Sequence, residues 1–147
     1  MTNFIIDTNI LLRFCDPASS RYALARQAVT KLLAAGDQIY IIPQSLAEFW
    51  VVATRPTEIN GLGWNTRKTR SEIEQLLDQF PLLEDTPAIF AHWLYLVTAQ
   101  DIKGKKAHDA RLVAAMRTHG ATHLLTFNID DFKSYSGITL VHPSDVK

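Results

Sequence analysis

The chain has 147 residues, 47% of them hydrophobic, with 15 basic and 15 acidic side chains and no net charge. That balance excludes a disordered chain, and the length suffices for one domain with a core of its own. It also excludes the global basic excess of a dedicated nucleic-acid binder, so any such affinity must come from a local patch.

In chain order, residues 3–6 read as a short buried strand that stops at the polar triplet Asp7-Thr8-Asn9, followed by a helical turn over 10–14. Residues 20–35 carry Ala23, Leu24, Ala28, Leu32 and Leu33 near a helical period, and Gly36 ends that helix. Residues 39–42 form a second strand closed by Pro43. Leu46, Phe49, Trp50 and Ala53 then space a helix over 44–55, stopped before Pro56. Gly61 and Gly63 mark a loop holding Trp64, an aromatic that either stacks on a partner or folds onto the body. An amphipathic helix follows over 66–79, and a short strand over 80–83. Residues 87–100 place Ile89, Phe90, Trp93, Leu94 and Val97 on one helical face. Residues 107–118 place Leu112, Val113 and Met116 on another, capped by Gly120. Strands at 123–126 and 138–141 close the chain. Strands alternating with helices of this length predict an α/β sandwich with a parallel sheet.

No run approaches the ~18 apolar residues of a membrane span. The opening MTNFIIDTN has no basic region and is expected to belong to the fold rather than to a signal peptide. The single cysteine, Cys15, allows no intrachain disulfide and suits a reducing cytoplasm.

Four acids matter by position. Asp7 ends the first strand, and Asp131 follows the strand at 123–126, so both lie at the carboxyl edge where parallel sheets collect functional groups. Glu48 and Asp109 fall on the apolar faces of their helices. A carboxylate directed at a core is costly unless compensated, and a hard divalent cation compensates several at once. Each acid also has a plain structural role open to it: a helix cap for Asp7, a surface position for Glu48, a first-turn acid for Asp109 and a turn for Asp131. Lys103, Lys105, Lys106 and Arg111 crowd the segment around Asp109, and with Arg13 and Arg21 they are candidates for backbone phosphates of RNA.

Four segments are familiar in this order: Ile-Ile-Asp-Thr-Asn-Ile-Leu-Leu-Arg (5–13), Leu-Ala-Glu-Phe-Trp-Val-Val-Ala-Thr-Arg-Pro (46–56), His-Asp-Ala-Arg-Leu-Val-Ala-Ala-Met (108–116) and Leu-Leu-Thr-Phe-Asn-Ile-Asp-Asp-Phe (124–132). Together they resemble the motifs of PIN-domain ribonucleases, and at this length the chain is similar to the VapC-type toxins of bacterial toxin–antitoxin pairs. The resemblance implies a three-layer α/β/α sandwich around a central, mainly parallel sheet, with residues 1–147 as a single domain. It implies that Asp7, Glu48, Asp109 and Asp131 hold Mg²⁺ or Mn²⁺, with Asn128 and Asp130 as alternatives at the fourth position. Thr8, Asn9, Thr126 and Asn128 would orient those carboxylates. The implied reaction is hydrolysis of RNA, transfer RNA being the common substrate of the family and ribosomal RNA its rival. The implied partners are a VapB-type antitoxin, seated on apolar residues of the 44–55 and 66–79 helices, and a second copy of the chain. The alternative is the same fold with a weak site, binding RNA or a protein without cutting.

Overall fold

The computed structural model describes Met1–Lys147. The strands are β1 (Asn3–Ile6), β2 (Gln38–Tyr40), β3 (His123–Leu125) and β4 (Thr139–Val141). The helices are α1 (Thr8–Cys15), α2 (Tyr22–Ala34), α3 (Pro43–Thr54), α4 (Thr66–Gln79), α5 (Pro87–Ala99) and α6 (Lys106–His119). All three strand pairings are parallel, in the order β2-β1-β3-β4.

The alternation of side chains along β1 explains the layers. Phe4 and Ile6 point to one face, into a core shared with Ile10, Leu11, Ala28, Phe49 and Leu76 of α1 to α4. Ile5 points to the other, into a core built with Ile89 and Leu96 of α5 and the Ala110–Met116 face of α6. Leu124 and Leu125 of β3 divide in the same way. A central strand apolar on both faces needs helices on both sides, and the three-layer α/β/α sandwich is the result. No helix is long and apolar enough to cross a membrane.

The expected strand over 80–83 is a correction. It contracts to one parallel bridge, Ile41 to Leu82, at the β2 edge of the sheet. The Ile41 amide donates to Pro81 O and the Leu83 amide to Ile41 O, but Pro81 has no amide with which to extend the ladder. Two helix faces also shift. Phe90 and Leu94 of α5 are exposed, and Leu96 is buried with Ile89. Trp50 of α3 is 36% exposed, while Phe49 is fully buried.

The order of the strands positions the site. From β1 the chain passes outward to β2, then crosses back to β3 on the other side of β1. The switch point therefore lies between β1 and β3, and a crevice opens beyond their carboxyl ends. Asp7 is the first residue after β1 and Thr126 the first after β3.

Candidate active site

Asp7 sits in an extended conformation that caps α1, its Oδ1 accepting from the Thr8 amide at 2.8 Å. Its Oδ2 accepts from the Thr126 hydroxyl at 2.8 Å and from Asn9 Nδ2 at 3.1 Å. Asp7 is thus both the cap of α1 and a buried carboxylate at the switch point of the sheet. Thr126 is fully buried, and its Oγ1 accepts in turn from the Asn128 amide at 3.0 Å. Asn9 Oδ1 accepts from the Phe127 amide at 3.2 Å, tying α1 to the segment after β3.

Glu48 comes from the middle of α3. Thr8 Oγ1 donates to its Oε2 at 2.9 Å, and Gln44, one turn earlier, donates to its Oε1 at 3.0 Å. Gln44 also donates to the His108 carbonyl at 2.8 Å, holding α3 against the start of α6, where Asp109 stands in the first turn. Asp131 lies in the short 3-10 helix Ile129–Phe132, fixed by the buried Phe132. The four acids line one cleft of about 350 Å³ together with Thr8, Asn9, Asn128, Arg13, Arg55 and Asn60.

The electrostatics follow from that crowding. Burial pushes the Asp7 carboxyl above its ordinary value, against the hydrogen bonds from Thr126 and Thr8, and the charges of Glu48 and Asp131 add to the rise. Burial likewise raises Asp109, to about 6, reinforced by the charges of Asp131, Asp7 and Glu48 and opposed by His108. None of the four acids forms an ion pair with a lysine or arginine. The donors are all hard oxygens, and their mutual repulsion is the deficit that a divalent cation relieves. No three acidic, histidine or cysteine side chains are grouped closely enough to hold a metal ion by themselves. Mg²⁺ in general uses one or two carboxylates, with water and phosphate oxygens completing its shell.

Among the alternatives at the fourth position, Asp130 turns away and pairs with Lys133 at 2.6 Å. The Asn128 side chain lines the cleft without a charge. Of the expected RNA contacts, Arg13 lines the cleft, and Lys105 and Lys106 are exposed. Lys106 faces an adjoining hollow of about 510 Å³ that shares Asp131 with the cleft. The Arg111 guanidinium is engaged with Gln44 Oε1 at 3.1 Å and with Asp85 at 3.3 Å, which braces the scaffold of the cleft. Arg21 stacks over Phe127 at 4.5 Å. Trp64 folds onto the body, edge-on to Phe49 at 6.1 Å, with Lys68 over its ring. Arg55, Asn60 and Gln44 were missed by sequence reasoning. Arg55 does fall inside the second quoted segment, directly before Pro56, and that position was its only signal.

The PIN domain family profile matches residues 4–138. Among solved structures, VapBC2 from Rickettsia felis, bound to a promoter DNA fragment, superposes with a TM-score of 0.71 at 19% identity, covering 96% of this chain and 98% of that one. VapC20 from Mycobacterium tuberculosis, described as a toxin cleaving the sarcin–ricin loop, gives 0.66 at 18%, covering 89% and 94%. A toxin–antitoxin complex from Klebsiella pneumoniae gives 0.65 at 24%, covering 95% and 96%. No curated protein sequence matches. With the profile spanning nearly the whole sequence and the same fold in each of these structures, the chain belongs to the PIN domain family.

Proposed function

We propose that this protein is an endoribonuclease that hydrolyses RNA phosphodiester bonds with a divalent cation, Mg²⁺ or Mn²⁺. It acts in the cytoplasm as the toxin of a type II toxin–antitoxin pair, with transfer RNA as substrate. The observation that carries this reading is the meeting of Asp7, Glu48, Asp109 and Asp131 in one cleft at the switch point of the sheet, with no ion pair to neutralise them. Membership in the PIN domain family supports the nuclease class.

Asp7 and Asp109 are assigned as the direct cation ligands and Asp131 as the exposed third. The cation supplies charge neutralisation and Lewis acidity toward the phosphodiester. Thr126 and Asn9 hold the Asp7 carboxylate in one orientation. Glu48, fixed through both oxygens by Thr8 and Gln44, keeps an acceptor site on each oxygen. It is assigned to orient the attacking water and take its proton as the oxygen–phosphorus bond forms and the bond to the leaving ribose oxygen breaks.

Two partners belong to the reading. A VapB-type antitoxin is supported by the exposed apolar side chains of Trp50 and Val51 on α3 and Leu77 on α4. A homodimer is supported by Phe90, Leu94 and Tyr95, which are exposed along α5.

The test is incubation of the antitoxin-free protein with labelled transfer RNA and ribosomal RNA in Mg²⁺, Mn²⁺ or EDTA, with Asp7→Asn as the control for contaminating nuclease. Discrete cleavage that needs both the cation and Asp7 is the expected result. Absence of cleavage together with absence of cation binding by calorimetry would leave a PIN-fold binding module instead.

A further inference from the structure

We propose that Arg55 binds a backbone phosphate of the RNA beside the carboxylates. The proposal rests on the ribonuclease reading above.

Arg55 caps the C-terminal end of α3 and lines the same cleft as Asp7, Glu48, Asp109 and Asp131, yet pairs with none of them. Its Nη2 makes one long hydrogen bond, 3.4 Å, to the Asn60 carbonyl. Its Nε is shut off from solvent and has no hydrogen-bond partner. The closed Nε is out of reach of a ligand, and what the cleft offers is the Nη end of the guanidinium, a full positive charge with no carboxylate partner. An anionic phosphate oxygen is the group that such an end suits.

The backbone at this point is fixed before any ligand arrives. The loop after α3 folds back along the helix: the amides of Leu62, Gly63 and Trp64 donate to the carbonyls of Val52, Arg55 and Ala53 at 3.0, 2.9 and 2.8 Å. Where the loop crosses Arg55, a Cβ on Gly61 would come within 1.8 Å of the Arg55 carbonyl oxygen, so only glycine allows the crossing. The backbone that carries the arginine is therefore held at the cleft. The four carboxylates would repel a passing RNA strand. Arg55 puts a positive charge in the same cleft, available to a neighbouring phosphate, while a cation serves the acids.

The experiment is fluorescence anisotropy of labelled transfer RNA in Mg²⁺, comparing Asp7→Asn with Asp7→Asn carrying Arg55→Ala, across a salt series. The expected result is an affinity loss of about tenfold or more. The slope of log affinity against log salt should also become shallower by about one. Arg55→Lys should restore the slope but not the full affinity, because it returns the charge without the fork. If Arg55→Ala melts early, Arg55→Gln gives the same comparison with the stem retained. Equal affinity and slope with and without the arginine would overturn the proposal while leaving cleavage by the unmodified protein intact. Arg55-dependent binding without any cleavage by the unmodified protein would instead remove the ribonuclease reading and keep the contact. Absence of RNA binding throughout would overturn both.

Discussion

Replacing Asp109 with Asn should make the cation-free protein more stable, although it removes a residue assigned to the chemistry. The carboxyl rises from 3.8 to about 6 because of burial and the charges of Asp131, Asp7 and Glu48. The folded state thus holds this proton more tightly than the unfolded state does. Ionisation of Asp109 opposes folding, and the opposition grows as pH rises from 3.8 and is complete above about 6. At ~1.36 kcal/mol per pH unit the full rise corresponds to roughly 3 kcal/mol. Asp109 is only half-buried, and solvent screening reduces this to about 1.5 kcal/mol. Its place in the first turn of α6 works the other way, since loss of the charge forfeits about 0.5 kcal/mol of interaction with the helix dipole. The net gain for Asp109→Asn at about pH 8 is therefore ~1 kcal/mol, or about 3 °C in Tm for a chain of this size. The assay is thermal unfolding in EDTA followed by circular dichroism, at about pH 8 and again at about pH 4, where the gain should vanish. An unchanged or lowered Tm at the higher pH, or a gain that persists at the lower one, would refute the account of Asp109 as a strained charge.

Three further outcomes follow from the same geometry. Mg²⁺ should raise the Tm of the unmodified protein, by an amount that grows as pH rises through about 6 and the proton leaves Asp109, and calorimetric melting should show the effect lost in Asp7→Asn. Thr126→Val deletes a buried hydroxyl that donates to Asp7 and accepts from the Asn128 amide, and should cost about 1–3 kcal/mol in urea unfolding. It should also carry the onset of Mg²⁺ binding to higher pH, because the Thr126 hydrogen bond opposes the rise that burial imposes on the Asp7 carboxyl. Leu94→Glu, at an exposed position on α5, should shift the protein toward monomer in sedimentation velocity with Tm nearly unchanged at low concentration; an unaltered dimer would place the interface elsewhere.

The parts of this protein that the sequence reveals are those where a local rule and the tertiary structure agree. β1 reads clearly because its short apolar run ends at Asp7, and α6 because a polar start and Gly120 bracket an apolar face. The faces of α3 and α5 do not read clearly, and the reason is composition. Leu46, Phe49, Trp50, Val51, Val52 and Ala53 surround most of α3 with apolar side chains, so periodicity alone does not choose between Phe49 and Trp50. Packing against α1 and α4 makes the choice. In α5 the same ambiguity conceals Leu96 and promotes Phe90. The strand over 80–83 fails for a local reason that was present in the sequence, the missing amide of Pro81. The bracing of Gln44 by Arg111, and of Arg111 by Asp85, joins residues from three parts of the chain, and no spacing rule encodes it. Arg55 escapes because its role depends on a loop folding back onto its own helix.

The hydrogen bond between Asp7 and Thr126 spans 119 positions of sequence. A ribosome adding about 5–20 residues per second makes Thr126 roughly 6–24 s after Asp7. Throughout that interval the emerging chain has its first carboxylate but neither the hydroxyl that orients it nor Asp109 and Asp131 at full count. β1, central in the finished sheet, must also wait for β3 to complete its pairing. The cleft is therefore assembled only after nearly the whole chain has been made, since its last acid, Asp131, follows Thr126.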